Sequence, residues 1–179
     1  MKRPLPLTRD DIETGLLNVA ERLHEDGRTP EEIIVVGGSF MALHDLRDST
    51  ADVDSVSQLD DRVRAAVRQV AGECGWAEHW LNDRASAWRP AGLRIADCVV
   101  LIDHPGLVVY APHPDVMLLM KLNASRGPQD HADARALWPS TRFADAEAVV
   151  RAFYDAYPNE EPDPELADFL RTVLSPRPQ

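Results

Sequence analysis

One stretch decides how this chain folds: Ile33-Ile34-Val35-Val36-Gly37-Gly38-Ser39, which is followed after twelve residues by Asp52-Val53-Asp54. Its apolar, β-branched beginning stops at two glycines, which predicts a buried strand that ends in a tight turn. Phe40, Leu43 and Leu46 then recur at helical spacing. We therefore expect a short helix that leads into a second strand carrying the two aspartates.

These two aspartates pose a problem of charge. Alternate side chains of a strand share one face, so Asp52 and Asp54 should project to the same side. Neighbouring carboxylates repel each other unless a divalent metal, an arginine or solvent lies between them. The residues alone are explained equally well by a binding site and by a tight turn with two solvated aspartates on an edge strand.

Length and composition fit one globular domain over residues 1–179. The chain is 44% hydrophobic, which is enough for a core. Its short aliphatic runs and its start, Met1-Lys2-Arg3-Pro4, predict neither a membrane span nor a signal peptide. Cys74 and Cys98 lack metal-ligand spacing, which favours two buried free thiols in a reducing, cytoplasmic setting.

The net charge of −11 argues against a general nucleic-acid-binding surface. Phosphate contacts draw on clustered lysine and arginine side chains. An RNA substrate remains compatible with local arginines such as Arg62, Arg64 and Arg68, and an acidic chain equally suits a basic partner.

Helical and strand patterns cover the rest of the chain. Thr8 is placed to cap a first helix that ends near Asp26, and Gly75 closes a second helix over about 60–73. Turn residues at His104-Pro105-Gly106 predict a hairpin between 95–102 and 107–110. Further helices are predicted at about 114–125, 130–137, 144–157 and 164–174.

The glycine turn, the short helix and the Asp-x-Asp strand resemble the signature of the nucleotidyltransferase superfamily. The closer resemblance is to AbiEii/MenT-like toxin nucleotidyltransferases and related bacterial proteins. Those proteins carry a histidine in the short helix, matched here by His44, and an arginine-led approach to the carboxylates, matched by Arg47–Asp52. A packed or hydrogen-bonded histidine is the simpler interpretation of His44. The resemblance covers about 31–137 and implies an α/β (α+β) nucleotidyltransferase fold, a small mixed sheet flanked by helices, with a helical extension over 138–175.

A second segment, Met120–Arg126 followed by Asp130 and Asp133, resembles the Lys-Leu-x-Ala-x-Arg segment and Asp-x-x-Asp helix start of that family. The resemblance implies that Lys121 reaches a triphosphate and that Arg126 grips a phosphate or a carboxylate. It also implies that one aspartate orients Lys121 or acts as a base, with Asp133 the preferred match. From the residues alone, Lys121 and Arg126 are equally surface charges, and Asp130 is a helix cap.

The activity implied by the resemblance is Mg²⁺-dependent transfer of a nucleotide from an NTP to an acceptor. Carboxylate oxygens suit Mg²⁺, and glycines at a helix start let the backbone approach a phosphate. Asp52 and Asp54 are the predicted metal ligands and act in catalysis with Lys121 and Asp133. The predicted nucleotide-binding residues are Gly37, Gly38, Ser39, Arg126 and Asp130.

The implied biological role is the toxin-like component of a bacterial toxin–antitoxin or phage-defence system. The acceptor would be RNA (tRNA) or a protein, and the partner a cognate antitoxin. Ser55 replaces an apolar residue of the superfamily pattern, which predicts a more exposed strand, and no third metal carboxylate is identified. The alternative is thus a catalytically inactive nucleotidyltransferase-like binding or regulatory module. The segment Trp80-Leu81-Asn82-Asp83 is also similar to relatives. Its polar pair either shapes the site or caps an element, and the structural interpretation is preferred.

Overall fold

The computed structural model describes residues 6–25, 27–124 and 127–174, without the side chain of residue 173. The predicted site residue Arg126 lies outside the described residues, as does Asp26, the expected end of the first helix. The helices are α1 (Arg9–Glu25), α2 (Gly37–Leu43), α3 (Asp61–Cys74), α4 (Pro114–Ala124), α5 (Pro128–Leu137), α6 (Ala146–Ala156) and α7 (Leu166–Val173). The strands are β1 (Glu31–Val36), β2 (Val53–Ser55), β3 (Leu81–Asn82), β4 (Val99–His104) and β5 (Leu107–Ala111).

The five strands form one mixed sheet in the order β3-β2-β1-β5-β4. β1 is parallel to β5 and antiparallel to β2, while β2 is parallel to β3 and β4 is antiparallel to β5. This arrangement confirms the predicted α/β fold with a small mixed sheet and flanking helices.

The chain divides into two compact units. The first comprises the residues up to Ala87 together with Cys98–Ala111, and it holds the sheet with α1, α2 and α3. The second comprises Trp88–Asp97 and the residues from Pro112 onward, and it holds α4 to α7. The single domain expected over 1–179 stays a prediction.

Local signals explain the helices of the first unit. Thr8 precedes α1 and exchanges hydrogen bonds with Asp11: its backbone N–H donates to Oδ2 at 2.9 Å, and its Oγ1 accepts from the Asp11 N–H at 3.3 Å. This reciprocal pair is a capping box. Asp60 caps α3 by accepting the Val63 N–H at 2.8 Å, and Gly75 ends it at φ +70°. Both predicted helices are therefore confirmed.

The core of the first unit lies between these helices and the sheet. The apolar stripe of α1 is buried, and so is that of α3. Trp80 is 1% exposed and donates its ring N–H to the Val67 carbonyl at 3.2 Å. Gly15 lets α1 approach the indoles, since a Cβ there would lie 2.7 Å from atoms of both Trp76 and Trp80.

Two strand predictions need correction. The hairpin strand begins at Val99 rather than near Ile95, because Ile95–Asp97 forms a 3₁₀ turn in which Arg94 bonds the Asp97 carboxylate through two nitrogens.

The acidic strand is only Val53–Ser55, so Asp52 directly precedes it. Ser55 is fully buried, which contradicts the expected exposure; its hydroxyl donates to the Ser57 carbonyl and accepts the Ser57 N–H, both at 3.0 Å.

The second unit is a helical cluster around its own core. Leu118, Val149 and Leu170 are each completely buried. Asp145 caps α6 by accepting the Ala148 N–H at 2.8 Å. α5 begins at Pro128, two residues before the expected start, so Asp130 lies in its first turn and is not its cap.

Two further findings concern the cysteines and membranes. Cys74 is exposed and Cys98 is half-buried, so the expectation of two buried thiols is wrong. Among the described residues, no helix combines the length and the apolar character that crossing a bilayer requires.

Candidate functional site

The predicted glycine turn brings Asp54 onto the start of α2. Gly37 has φ +70°, a left-handed conformation that favours glycine. A Cβ at this position would lie 2.9 Å from Oδ2 of Asp54. Glycine therefore serves two purposes here: it makes the turn, and it leaves room for the carboxylate.

Gly38 has a comparable role toward the loop between α2 and β2. A Cβ on Gly38 would lie 2.3 Å from Oγ1 of Thr50 and 2.8 Å from Nη1 of Arg47. Thr50 is held by paired backbone hydrogen bonds with Leu7, of 2.7 and 2.9 Å. The two glycines thus allow Asp54, Arg47 and Thr50 to close around one turn.

Ser39 occupies a different environment from the glycines. Its side chain is fully buried, and its hydroxyl donates to the Val36 carbonyl at 2.7 Å. In this conformation the hydroxyl stabilises the strand–helix turn, and its predicted contact with a nucleotide stays a prediction.

The two aspartates flank a core residue. Val53 is completely buried, whereas Asp52 and Asp54 are both half-buried. Within the sheet, Asp54 pairs with Val36 of β1 on one side and with Asn82 of β3 on the other. The predicted pair therefore sits at the junction of three strands.

Asn82 is the residue whose place in the site sequence reasoning missed. It is 5% exposed, and its side-chain oxygen accepts the Arg84 N–H at 3.0 Å. That bond fixes the amide orientation, because the amide nitrogen then faces two acceptors, Oδ2 of Asp52 and the Val53 carbonyl, both at 3.4 Å. The polar residues of the Trp80–Asp83 segment are visible in the sequence, but only the pairing of β2 with β3 shows which of them faces Asp52.

The carboxylates suit a metal that is shared with a substrate. Among the described residues, no group of three or more His, Cys, Asp or Glu side chains is arranged to hold a metal ion. Mg²⁺ is commonly bound by one or two protein carboxylates together with substrate phosphates and water. Asp52 and Asp54 match that donor set and do not make a cage from protein ligands alone.

Asp97 and Asp103, near the two ends of β4, do not supply a third carboxylate to the pair. Asp97 is engaged by Arg94, whose hydrogen bonds lower the pKa of the Asp97 carboxyl. Asp103 lies on β4, which β1 and β5 separate from β2 in the sheet. Asp103 therefore does not join Asp52 and Asp54.

The second predicted cluster is assembled within the helical unit. Lys121, near the end of α4, places its Nζ 2.7 Å from Oδ2 of Asp133 and 3.4 Å from Oδ1 of Asp130, both on α5. Gln129 donates to the other oxygen of Asp133 at 3.0 Å. The side chains of Lys121 and Asp133 are only 11% and 3% exposed. Lys121 is thus not an ordinary surface charge, and both aspartates contact it.

His44 packs on its own helix. Its ring stacks on Phe40 with centroids 3.9 Å apart, and its Nδ1 lies 2.8 Å from the Phe40 carbonyl oxygen. The packed, hydrogen-bonded interpretation of this histidine is confirmed.

Comparison with known protein families shows what this chain is similar to. A family model described as "Nucleotidyltransferase of unknown function (DUF6036)" matches residues 14–159, which include both aspartate pairs, the glycine turn and Lys121. Comparison with curated proteins and with solved structures gives no significant match.

Proposed function

We propose that this chain, which belongs to the family of nucleotidyltransferases of unknown function (DUF6036), transfers a nucleotide from a nucleoside triphosphate to an acceptor. The observation that carries the proposal is the pair Asp52 and Asp54 beside the Gly37 turn. Two half-buried carboxylates beside a glycine turn match the protein share of the ligands that a triphosphate-bound Mg²⁺ requires.

The reaction is a substitution at phosphorus. An acceptor hydroxyl attacks the α-phosphorus, a new P–O bond forms, the α–β phosphoanhydride bond breaks, and pyrophosphate leaves. Mg²⁺, held by Asp52 and Asp54 with the triphosphate, would neutralise charge on the phosphoryl oxygens. Asn82 orients the Asp52 carboxylate. The proton of the acceptor hydroxyl passes to a carboxylate base, and on the resemblance alone Asp133 is proposed for that role.

Lys121 is proposed to bind the phosphates of the nucleotide. Asp133 and Asp130 hold its ammonium group, so little side-chain freedom remains to be lost on binding. Arg126 and Asp130 are proposed as further nucleotide-binding residues, on the resemblance alone.

The proposed biological role is that of a toxin-like enzyme of the AbiEii/MenT type, paired with a cognate antitoxin, with tRNA or a protein as acceptor. This finer assignment depends on the resemblance of the motifs around Arg47–Asp52 and Lys121–Asp133. Growth arrest on expression in a bacterial host, relieved in an Asp52→Asn/Asp54→Asn variant, is the expected result. Equal growth with both proteins would contradict the toxin-like role.

A second candidate function is a catalytically inactive nucleotide-binding or regulatory module. Two observations favour it: the Ser39 hydroxyl is buried and engaged, and within the described residues no group of three or more metal-ligating side chains occurs.

One assay separates the two functions. The protein is incubated with each α-labelled NTP, Mg²⁺ and total RNA, and binding of each NTP is measured in parallel by calorimetry. Label transfer that is abolished by Asp52→Asn/Asp54→Asn but retained in Asp103→Asn supports the enzyme, since Asp103 is an aspartate of the same sheet on β4. NTP binding without transfer supports the inactive module, and neither binding nor transfer refutes both. Loss of transfer in Lys121→Met tests the second cluster separately.

A further inference from the structure

The outermost strand of the sheet is unusually open to pairing. β4 ends the strand order and, within the part of the chain that the structure describes, it is hydrogen-bonded only to β5. The opposite edge, β3, has just two residues. Shortness, lysine and proline are among the devices that protect sheet edges. β4 has six residues and contains neither lysine nor proline. Of such protective features it has one register shift, between Val100 and Ile102, and the charge of Asp103.

Exposed apolar side chains concentrate around this edge. Four large hydrophobic side chains are exposed in the described part of the chain, and two of them, Val99 and Val100, are on β4 with 62% and 49% exposure. A third, Leu17 of α1, is 44% exposed and lines a cavity that three consecutive β4 residues, Leu101 to Asp103, also line. Exposed apolar side chains therefore occur on β4 itself and on the helix that lines a cavity with it.

That cavity, of about 420 Å³, lies between α1, the end of α2 and β4. Its apolar wall includes Leu16, Leu43 and Ile102, and its charged members are Arg9, Glu13 and Asp103. This volume accommodates a large apolar side chain. The cavity and the edge together provide the two elements of strand addition, which are main-chain hydrogen bonds and a side-chain pocket.

Charge determines which partner fits. Arg9 is already bonded to Glu13 at 2.9 Å and to Asp45 at 2.7 Å, whereas Asp103 forms no ion pair with any described side chain. The rim therefore carries an excess of negative charge, in a chain of net charge −11. A second copy of this chain would bring the same acidic edge and the same net charge, and like charges oppose association. A basic partner is attracted instead.

We propose that β4 is the docking site of a basic partner protein, which adds an extended segment with alternating apolar and Lys/Arg side chains as a sixth strand. One apolar side chain of that segment enters the cavity, and its basic side chains, which point to the opposite face of the sheet, lie beside Asp103. This inference is independent of the proposed enzymatic activity.

The test uses the full chain and a synthetic probe. A fluorescein-labelled peptide of about eight residues that alternates lysine and valine is titrated by anisotropy, and amide hydrogen exchange is followed by mass spectrometry. We expect saturable binding with slowed exchange in β4 and unchanged exchange in β3. The same peptide with alternate backbone amides N-methylated keeps its charge but loses strand hydrogen bonds, and we expect it to bind at least about tenfold more weakly.

Matched variants separate strand docking from general attraction between a basic peptide and an acidic protein. Val100→Lys and Asp103→Lys, both at exposed positions, should each weaken binding by at least about tenfold. Glu78→Lys makes the same charge change as Asp103→Lys at an exposed position outside the sheet, and it should bind nearly as well as the natural chain. Circular dichroism checks that each variant is folded.

Three results would overturn the proposal. The first is the absence of saturable binding of the lysine–valine peptide. The second is an equal loss in Glu78→Lys and Asp103→Lys, which would mean that only overall charge matters. The third is a dimer in sedimentation velocity that Val100→Lys dissociates, which would make a second copy of the chain the occupant of β4.

Discussion

At Gly37, both the backbone conformation and the neighbouring carboxylate of Asp54, a proposed metal ligand, favour glycine. Its φ of +70° and the close approach of the Asp54 carboxylate both oppose a side chain. We expect Gly37→Ala to lower the free energy of unfolding by about 1–2 kcal/mol from the left-handed backbone, and further because the new methyl displaces Asp54. Urea denaturation measures the change.

Gly75 provides a matched control for that substitution. It has the same φ of +70°, but a Cβ there would meet nothing within 4 Å. Gly75→Ala therefore measures the backbone cost alone. When Asp54 is already replaced by alanine, Gly37→Ala should lower the free energy of unfolding by about as much as Gly75→Ala does. An equal cost of Gly37→Ala with and without Asp54 would show that the carboxylate does not press on the turn.

Asn82 is expected to act through Asp52. Asn82→Leu keeps the size of the buried side chain but removes the donor to Asp52 and the acceptor for Arg84. Leaving these groups unpaired should cost about 1–3 kcal/mol of stability. If the proposed transfer occurs, its kcat should fall more than its KM rises, because the Asp52 carboxylate loses its orientation.

A neighbouring residue separates this effect from simple destabilisation. Asp83 accepts the Leu59 N–H at 3.0 Å and bonds Arg64 at 2.7 Å. We expect Asp83→Asn to lower stability without a comparable fall in kcat. The positioning role of Asn82 is contradicted if the two variants lose activity in proportion to their loss of stability.

At the scale of elements, the capping box of α1 makes a prediction about pH. Hydrogen bonds from the Thr8 hydroxyl and N–H lower the pKa of the Asp11 carboxyl below its ordinary value of 3.8. Thr8→Ala should cost about 1 kcal/mol at neutral pH. Because the folded-state pKa is the lower one, the contribution of Asp11 is complete above pH 3.8 and is lost as the pH falls through the folded-state value.

The stability difference between the natural chain and Thr8→Ala should therefore shrink in acid. Urea denaturation at neutral pH and near the folded-state pKa of Asp11 measures this difference. The stability difference between the natural chain and Asp11→Asn should shrink over the same pH range, because asparagine does not titrate. A difference that stays constant across this range would mean that the carboxylate contributes nothing to the cap.

The elements show what local patterns can predict. α1 and α3 were predicted from capping residues and apolar periodicity, both of which act within a few residues. No local pattern predicts β3, because two residues form a strand only by pairing with β2, almost thirty positions earlier. The start of β4 was misplaced for a related reason: an apolar run does not reveal that Arg94 and Asp97 close a turn within it.

At the scale of the whole molecule, neither compact unit is a continuous segment. The first is completed by Cys98–Ala111, which follows Trp88–Asp97 of the second. The chain thus passes between the units three times. We expect a single cooperative unfolding transition, because neither unit can be released from the chain as one intact piece.

Core substitutions in each unit test this cooperativity. Ile33 and Leu118 are 1% and 0% exposed in the first and second units, and replacing either by alanine should cost about 2–5 kcal/mol. Both variants should lower the midpoint of one common transition in calorimetry. Two resolved transitions, each sensitive to only one substitution, would instead mean two independently folding domains.

The sequence by itself determined the order of the elements apart from β3, the mixed α/β class, and the sites at which charge is concentrated, because caps, glycines and apolar periods act through near neighbours. The grouping of Lys121 with Asp130 and Asp133 was predicted from the family resemblance, and these residues lie on consecutive helices, α4 and α5. Only the tertiary structure decided that Asn82 faces Asp52, that Ser55 is buried, and that β4 is an open edge. Those features depend on strand pairing between distant residues, whose geometry no local pattern records.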